Sequence, residues 1–262
     1  MSNAALQVAR TGLDAQNTKM RVIANNLANV NTTGFKRDRA DFETLAYQNI
    51  VTPGAPSDAQ NRFASGIQLG TGVKLSGISK IATQGTLQNT NNAMDLAIEG
   101  AGYFQVEMAD GTTGYTRAGN FSLTAEGNMV TSDGLPLIPA IQVPQGATSI
   151  TIGNNGTVSA TLPGQSEPSE LGQIELSNFT NPAGLLSAGN NVLIETAASG
   201  APQVGQGGQE GLGNIRQGAL EGSNVNIVEE LVNMIETQRA YEINSKAISA
   251  TDGMLRFLNN NL

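Results

Sequence analysis

Both ends of this 262-residue chain carry apolar residues at seven-residue spacing, the pattern of helices that pair along a narrow seam. Near the start, the pattern is formed by Leu6, Leu13, Met20, Ile23 and Leu27. Near the end, it is formed by Leu231, Met234, Tyr241, Ile248 and Leu255. We predict that these side chains are buried between helices, either within one chain or between neighbouring copies. The alternative is that each stripe is the core-facing side of an ordinary globular helix.

The sequence also indicates where the two helices begin and end. The first contains no proline and should stop within 29–34, where Asn, Thr and Gly residues follow one another. The second is expected to run from Ile227 to Leu258, about 48 Å at 1.5 Å per residue. Asn226 is a suitable N-cap for this helix, and Glu229 completes a capping box.

Between the helices the apolar period changes from helical to alternating. Phe104 and Val106 alternate with polar residues, and Asp110-Gly111 then marks a turn. Similar alternation surrounds three further turn sequences, at 126–128, 132–134 and 154–156. The predicted fold class is therefore α+β: long N- and C-terminal helices pairing as a coiled coil, with a central antiparallel β-rich domain.

Two stretches lack clear periodicity. The stretch 48–72 contains prolines and glycines and is either a linker or an extended hairpin. The Gly-rich stretch 199–214 has a single Leu and a single Val, which is typical of a linker that returns the chain to the last helix. We therefore divide the chain into an N-terminal helix 1–34, an insert and connector 35–80, a β-rich domain 81–198, a return linker 199–222 and a C-terminal helix 223–262.

The absence of Cys and His excludes most catalytic and metal chemistry. Without them the chain has no thiolate nucleophile, no Ser-His-Asp arrangement and none of the usual transition-metal ligand sets. Paired carboxylates remain, but Asp95 and Glu99 have the spacing of one helix face within a sequence that alternates like a strand. We therefore expect no enzymatic activity, no cofactor and no bound metal.

The charge distribution is uneven along the chain. The formal net charge is −8, and residues 81–215 contain eleven acidic residues and one basic residue, Arg117. This balance argues against nucleic-acid binding, which requires clustered Lys and Arg. Residues 1–39 carry a net charge of +4 and either face an acidic surface on another copy or are scattered solvation charges.

The sequence contains no candidate for membrane insertion. No segment approaches the roughly 18 consecutive apolar residues of a transmembrane helix. Arg10, Asp14 and Lys19 interrupt any stretch that could be the apolar core of a cleavable signal peptide. On these grounds alone the chain would be expected in the cytoplasm.

Three local sequences are specific enough to compare with a known family. The first is IANNLANVNTTGFK at 23–36, and the second is DLAIEGAGYFQV at 95–106, continued by YTRAGNF at 115–121. The third combines EELVNMI at 229–235 with QRAYE at 238–242. Together they resemble the bacterial flagellar axial proteins, the rod and hook family. The matching residues include Asn25, Asn26, Leu27, Asn29, Asn31, Gly34, Phe35, Asp95, Gly100, Gly102, Phe104, Tyr115, Arg117, Gln238, Arg239, Ala240 and Tyr241.

The resemblance implies a structural role in a helical tubular polymer. Terminal helices from many copies would form an inner tube, with the β domains outside. The chain length and the sequence 45–73 are similar to distal-rod members of the family, which implies a drive shaft that transmits torque from motor to hook. Two alternatives stay open: a proximal-rod or hook subunit of the same family, and, in a different class, a secreted β-rich carbohydrate-binding or adhesive protein.

The same resemblance implies partners and a location. The implied partners are further copies of this chain, proximal rod proteins, the hook protein, the peptidoglycan and outer-membrane ring proteins, and the flagellar type III export apparatus. The implied location is the flagellar basal body, spanning the periplasm to the outer membrane, after export without a cleaved signal peptide. This expectation replaces the cytoplasmic location.

Overall fold

A computed structural model of the chain describes residues 2–56, 62–164, 167–209 and 211–260. Within these residues one helix lies at each end, α1 (Ser2–Ala28) and α2 (Ile227–Asn260), and the strands lie between them. The predicted α+β class is confirmed. As predicted, α1 ends just before the Asn-, Thr- and Gly-containing run, and α2 begins directly after Asn226.

The chain divides into two compact units, each built from segments that are distant in sequence. Unit 1 comprises Met1–Leu27, Asp38–Ser79 and Ile227–Leu262, and therefore holds both helices. Unit 2 comprises Ala28–Arg37 and Lys80–Asn226, and therefore holds most of the strands.

Unit 1 adds two strand pairs to the helices. Its strands are β1 (Asp38–Thr44), β2 (Tyr47–Val51), β3 (Ile67–Gly70) and β4 (Val73–Lys80). β1 pairs with β4, and β2 pairs antiparallel with β3 so that Tyr47 lies opposite Gly70. Of the two alternatives for 48–72, the described residues therefore show a hairpin; residues 57–61 lie outside the described part of the chain.

The last turn of α1 is the best-buried part of that helix. Val22, Ile23 and Asn26 are buried there. The Asn26 side chain donates from Nδ2 to the Asp38 carbonyl oxygen at 2.9 Å and accepts the Asp38 N–H on Oδ1, also at 2.9 Å. This reciprocal pair fixes the start of β1 against the end of α1, because the amide satisfies both backbone groups of one residue.

Unit 2 consists of short strands. They are β5 (Leu87–Asn89), β6 (Leu96–Glu99), β7 (Tyr103–Glu107), β8 (Thr113–Thr116), β9 (Phe121–Leu123), β10 (Met129–Thr131), β11 (Leu137–Ile138), β12 (Ser149–Ile152), β13 (Thr157–Thr161), β14 (Ser169–Gln173), β15 (Glu175–Asn178), β16 (Leu186–Gly189), β17 (Val192–Ile194), β18 (Gln203–Gln206), β19 (Asn214–Gln217) and β20 (Ala219–Glu221). A short 3₁₀-helix, Pro182–Gly184, precedes β16.

The largest sheet of unit 2 has the strand order β16-β17-β8-β7-β15-β18, with β11 also paired to β7. β12, β13 and β14 form a three-stranded sheet, and the remaining pairs are β9–β10, β6–β19 and β5–β20. The hairpins predicted from the turn sequences at 110–111, 126–128 and 154–156 are confirmed as the antiparallel pairs β7–β8, β9–β10 and β12–β13.

The main hydrophobic core lies on one face of β7. Phe104 and Val106 point to this face and are fully buried, and Phe104 meets the Phe121 ring edge-on at 5.2 Å between centroids. The core cluster consists of Leu96, Ile98, Phe104, Phe121, Met129, Leu137, Ile141, Ile152, Val158, Ile174, Leu176, Leu212 and Ile215.

The opposite face of β7 carries a smaller aromatic cluster. Tyr103 and Tyr115 are buried there with Phe179 and Leu185. The Tyr115 and Phe179 rings meet edge-to-face with centroids 4.8 Å apart, and Tyr103 meets Phe179 similarly at 6.0 Å. The largest sheet is therefore covered by side chains on both faces.

The Gly-rich stretch 199–214 differs from the predicted linker. Gln203–Gln206 is strand β18 and pairs in register with β15 along four residues, and β19 begins at Asn214. β18 lies at the edge of the largest sheet, and three of its four residues are exposed. Such an edge strand forms through backbone pairing with its neighbour and needs no alternation of apolar residues. This is why the composition of the stretch did not reveal the strand.

Candidate functional site

The predicted row of α1 lies on the sheltered side of that helix. In unit 1, Ile23 is buried, and the other members of the row are half-buried: Leu6, Leu13, Met20 and Leu27. Half-buried side chains occur at other positions of α1 as well, so burial of this row between helices stays a prediction.

The sheltered row of α2 is polar. Glu230 and Thr237 are buried, and Asn233 and Asn244 are half-buried. Glu230, Thr237 and Asn244 recur every seven residues, and the Thr237 hydroxyl donates to the Asn233 carbonyl oxygen at 2.6 Å. The sequence prediction missed this row because the heptad count selected apolar positions.

The predicted apolar row of α2 is only partly covered within one chain. Leu231 and Tyr241 are exposed, at 42% and 41% of their surface, whereas Met234 and Ile248 are half-buried. The side chain of Leu255 lies outside the described part of the chain. Burial of Leu231 and Tyr241 therefore stays a prediction about contacts between copies.

α2 presents further apolar side chains to solvent. Its exposed large hydrophobic residues, besides Leu231 and Tyr241, are Ile227, Val228, Val232, Ile235, Ile243, Met254 and Phe257. We call these nine residues the apolar face of α2. Large exposed apolar patches on a soluble protein usually mark a surface that binds a partner.

The β2–β3 hairpin shows the same property. Ile67 and Leu69 lie two residues apart on β3, so both point to one face, and both are exposed. Tyr47 and Ile50 on β2 are exposed as well. A two-stranded ribbon is marginally stable alone, so this hairpin also requires packing against something else.

α1 contacts both α2 and β4 near its middle. A methyl group at Gly12 would lie 3.1 Å from Nδ2 of Asn244, so the two helices approach closely at this glycine. The neighbouring Thr11 hydroxyl accepts the backbone N–H of Val73 at 3.4 Å. Adjacent residues of α1 therefore hold α2 and the start of β4.

Unit 2 contains a buried group of charged side chains, Lys36, Arg117 and Glu221, which we call the ion cluster. Lys36 Nζ lies 2.6 Å from Glu221 Oε1, and Arg117 Nη1 lies 3.1 Å from Glu221 Oε2. Glu221 is fully buried, and both cationic side chains are 5% exposed. Two cations thus share one carboxylate, and the cluster has an excess of one positive charge.

Backbone groups compensate this extra positive charge. Lys36 Nζ donates to the Thr83 carbonyl oxygen at 2.8 Å, and Arg117 Nη2 donates to the Gly100 carbonyl oxygen at 2.7 Å. The backbone N–H of Gly85 donates to Glu221 Oε1 at 2.9 Å. The Arg117 guanidinium also lies 5.3 Å from the centre of the Tyr103 ring, a cation–π arrangement.

Burial changes the acidity of two groups in this region. Desolvation lowers the pKa of Lys36, because the attraction of Glu221 only partly offsets it and Arg117 repels the ammonium. Desolvation raises the pKa of Tyr103, so its hydroxyl stays neutral to a higher pH than an exposed tyrosine would.

The segment after α1 is held inside unit 2 by residues of the first motif. The Gly34 N–H donates to the Glu221 carbonyl oxygen at 2.7 Å, and the Thr33 carbonyl oxygen accepts from Asn191 Nδ2 at 2.6 Å. Phe35 is buried, with Lys80 Nζ 5.7 Å from its ring centre. The end of this motif therefore anchors the chain in unit 2.

Asn224 fixes the segment before α2 in the same unit. Its Nδ2 donates to the Ile81 carbonyl oxygen at 2.8 Å and to the Thr83 carbonyl oxygen at 3.1 Å, and its Oδ1 accepts the Arg37 N–H at 2.8 Å. One amide side chain thus joins three stretches of backbone, as Asn26 joins α1 to β1 in unit 1.

The central motif residues support the core of unit 2. Asp95 is buried and accepts from Asn92 Nδ2 at 3.0 Å. Gly100 and Gly102 have φ of +118° and +134°, which favours glycine, and a methyl group at Gly100 would lie 2.9 Å from the Gly213 Cα. Phe104 and Tyr115 belong to the two hydrophobic clusters described above.

The remaining motif residues lie near the surface. In the turn after α1, Asn29 accepts the Thr32 hydroxyl at 3.1 Å, and Asn31 is exposed. Asn25 Nδ2 lies 3.5 Å from Asp38 Oδ2 within unit 1. On α2, Gln238 and Arg239 are exposed and Ala240 is half-buried.

Neither a metal site nor a membrane span is found among the residues that the structure describes. They contain no group of three or more Asp and Glu side chains that could hold a metal ion. None of their helices is long and apolar enough to cross a membrane.

Family models match three parts of the chain. The model described as "Flagella basal body rod protein" matches residues 6–36, and "Flagellar hook protein FlgE/F/G D1 domain" matches residues 97–160. "Flagellar basal body rod FlgEFG protein C-terminal" matches residues 216–261. These three ranges cover α1, part of the β-rich centre and α2.

Curated relatives are similar over nearly the whole chain. The flagellar basal-body rod protein FlgG of Buchnera aphidicola subsp. Acyrthosiphon pisum is 50% identical over 254 residues, which cover 97% of this chain and 98% of that protein. The FlgG proteins of Borreliella burgdorferi and Agrobacterium fabrum are 48% and 47% identical, with 98% of this chain covered in both and 97% and 99% of the relatives. This chain belongs to the FlgG family of flagellar basal-body rod proteins. It is a structural protein of the flagellum.

The ion cluster draws one residue from each region matched by a family model. Lys36 lies in the first matched region, Arg117 in the central one and Glu221 in the last. In this FlgG-family chain the three matched regions are therefore joined at one buried site.

The sequence singles out only one of the three residues of the ion cluster. Arg117 was identified from the central motif, and it is the single basic residue in 81–215, which is a signal that it pairs with a carboxylate. No local feature of the sequence distinguishes Glu221 from a solvent-exposed glutamate. Lys36 is marked in the sequence only as the last residue of the first motif. Their pairing depends on contacts across 185 residues.

Proposed function

We propose that this chain is a structural subunit of the distal rod, which polymerises into a helical tubular drive shaft and transmits torque from the motor to the hook. The observation that supports this proposal best is the apolar face of α2. Membership of the FlgG family makes further copies of the same chain the natural occupants of that face.

The arrangement of α2 is unsuited to an isolated subunit. Its sheltered row contains Glu230 and Thr237, while Val228 and Ile243 are exposed at 69% and 66%. A helix of 34 residues is about 51 Å long. Its exposed apolar side chains occur from Ile227 at its start to Phe257 near its end. Covering them with helices of neighbouring copies would remove this apolar area from water.

The ten predicted seam residues take two roles in this proposal. Leu6, Leu13, Met20, Ile23 and Leu27 lie on a side of α1 that is already sheltered, so they position the helix within its own subunit as well. Leu231 and Tyr241 are exposed and thus free to pack as coiled-coil knobs against other copies, with Met234, Ile248 and Leu255 on the same row.

The β2–β3 hairpin provides a second contact between copies in this proposal. Its exposed apolar side chains, which include Ile50, Ile67 and Leu69, have the same need for cover as those of α2. A neighbouring subunit that covered the hairpin would also stabilise it, since two strands alone are marginal. The hairpin would then link subunits at a site separate from the helices.

Membership of the family supports the finer partners and the location, which are part of the proposal. The polymer joins proximal rod proteins to the hook protein and turns within the peptidoglycan and outer-membrane ring proteins. The subunit reaches the periplasm through the flagellar type III export apparatus without a cleaved signal peptide. The weakly charged, acidic stretch 81–215 would form an outer surface that rotates without adhering to the rings.

The α2 contact is tested with the double variant Val232→Ser/Ile235→Ser. Both side chains are about half exposed, so the isolated subunit should keep its unfolding midpoint within the small range typical of surface substitutions. We expect cells that carry only this variant to lose motility and to lack distal rods in electron micrographs of basal bodies. Met234→Asp and Ile248→Asp should have the same effect.

The matched control is Leu186→Ser on β16 of unit 2, where the leucine is 60% exposed. This variant removes one exposed apolar side chain away from α2 and should build normal rods. Motile cells with normal rods for Val232→Ser/Ile235→Ser, Met234→Asp and Ile248→Asp would contradict the proposal.

A further inference from the structure

The ion cluster joins segments that are far apart along the chain. Lys36 and Glu221 are 185 residues apart, and Arg117 and Glu221 are 104 residues apart. Joining such distant segments costs more loop-closure entropy than pairing the two strands of a hairpin. These contacts are therefore expected to form after the local strand pairs of unit 2.

Neither hydrophobic cluster contains a residue of the segments that carry Lys36 and Glu221. All residues of the two hydrophobic clusters lie between Leu96 and Ile215. The side chains of both clusters can therefore pack against one another while residues 28–37 and 219–226 are still detached.

The cluster depends on its single carboxylate. Glu221 is fully buried, and the Lys36 and Arg117 side chains are 5% exposed. A buried ion pair that loses one partner leaves an uncompensated charge, which is strongly unfavourable. Without the carboxylate, two cations would face each other inside the protein. The cluster therefore opens when the Glu221 carboxylate is lost.

Closing the cluster also places the two terminal segments of unit 2 side by side. The Gly34 N–H donates to the Glu221 carbonyl oxygen at 2.7 Å, and the Arg37 N–H donates to Asn224 Oδ1 at 2.8 Å. The chain leaves unit 2 at Arg37 and at Asn226. A closed cluster thus fixes both of these exits, and an open one releases them.

We propose that the ion cluster is a latch, which closes after the β core of unit 2 has folded and then fixes the segments 28–37 and 219–226 on that core. With the latch closed, the segments that lead to α1 and α2 are ordered next to each other. With the latch open, the core keeps its structure and both segments detach. This inference holds whether or not the chain polymerises as proposed above.

Native-state hydrogen exchange of the full chain with Glu221→Gln tests the latch. The substitution keeps the side-chain shape and removes the negative charge. We expect the amides of Gly34, Arg37 and Gly222 to exchange at least tenfold faster than in the unsubstituted chain. The amides of β7 and β8, which pair within the core, should keep their exchange rates within twofold.

A second variant and a control make the result decisive. Lys36→Met removes the cluster member that lies in the segment 28–37 and should release the amides of Gly34 and Arg37. Glu99→Gln, which changes an exposed carboxylate on β6, should release none. Loss of protection in β7 and β8 together with the terminal segments, or complete unfolding of unit 2, would overturn the proposal, because the core would then require the cluster. Unchanged exchange in both variants would overturn it as well.

Discussion

Gly34 shows at the scale of one residue why the chain follows a single path after α1. Its φ is +69°, a region that favours glycine, and a methyl group there would lie 2.5 Å from the carbonyl carbon of Arg117. Glycine is therefore required here both for the positive φ and for the close approach to the backbone of the buried Arg117.

The variant Gly34→Ala should destabilise unit 2 more than Gly111→Ala. Gly111 also has a positive φ, +80°, but has open space around it, so alanine there costs only the left-handed conformation, about 1–2 kcal/mol. Gly34→Ala adds a backbone clash and should cost at least about 1 kcal/mol more. Urea unfolding followed by the near-ultraviolet circular dichroism of the buried tyrosines measures both values. Equal values for the two variants would contradict the close contact.

Lys36 gives a second prediction at this scale, on pH dependence. Burial lowers its pKa in the folded chain below the unfolded value of about 10.4, so folding releases a proton as pH approaches that value. The free energy of unfolding should therefore rise as pH increases from 7 toward about 10.4, relative to Lys36→Met, which lacks the titrating group. Tyr103, whose pKa is raised, lowers the free energy of unfolding with increasing pH, but only above about pH 10. A difference between the two chains that stays constant or falls over this range would contradict the assigned shift.

At the scale of elements, the C-terminal half of α2 contains a glycine, which has a low helix propensity. Gly253 lies within the helix, and a methyl group added there would have nothing within 4 Å, so alanine fits without a clash. Gly253→Ala should stabilise the helix by about 1 kcal/mol and raise the helical signal in far-ultraviolet circular dichroism. Gly12→Ala should gain less, because its methyl group would press on Asn244 at 3.1 Å. A loss of helical signal for Gly253→Ala would show that this stretch is not helical in solution.

The β1–β4 pair carries an acid-sensitive row of side chains. Hydrogen bonds from Ser79 and Arg39 lower the pKa of Asp41, and hydrogen bonds from Ser76 and Lys74 lower the pKa of Glu43. Carboxylates with lowered folded pKa stabilise the sheet above their unfolded values of about 3.9 and 4.3, and this stabilisation is lost as pH falls through the folded values.

Amide protection in β1 and β4 should therefore decrease as pH falls from 6 to 3, after correction for intrinsic exchange. The double variant Asp41→Asn/Glu43→Gln should lose this dependence. The β12–β13 pair contains no carboxylate in either strand and provides the reference, which should change little. An identical pH dependence in the double variant would show that these two carboxylates do not stabilise the sheet.

The elements that the sequence predicted well are those with local signals. The β7–β8 and β12–β13 hairpins follow from turn residues and alternation, and α1 follows from its heptad row. β18 could not be predicted because an exposed edge strand such as Gln203–Gln206 depends on its neighbour rather than on its own side chains. The sheltered face of α2 was missed for a similar reason: Thr237 is buried by contacts that no periodicity of apolar residues indicates.

At the scale of the whole molecule, the two units should differ in stability in an isolated subunit. Unit 2 contains both hydrophobic clusters and the ion cluster. The buried apolar residues of unit 1 in the described part of the chain are Val22 and Ile23. Helices gain most of their stability from tertiary packing, so α2 should open often in an isolated subunit.

Hydrogen exchange of the isolated subunit and of purified rods should show this difference directly. We expect the amides of α2 and of the β2–β3 hairpin to exchange at least tenfold more slowly in rods, because neighbouring copies would cover the faces that Leu231, Ile235 and Ile67 expose. The amides of β6 and β7 are protected by the core of unit 2 and should differ little between the two samples. If α2 were equally protected in the isolated subunit, its stability would come from within one chain, and its apolar face would not require neighbouring copies.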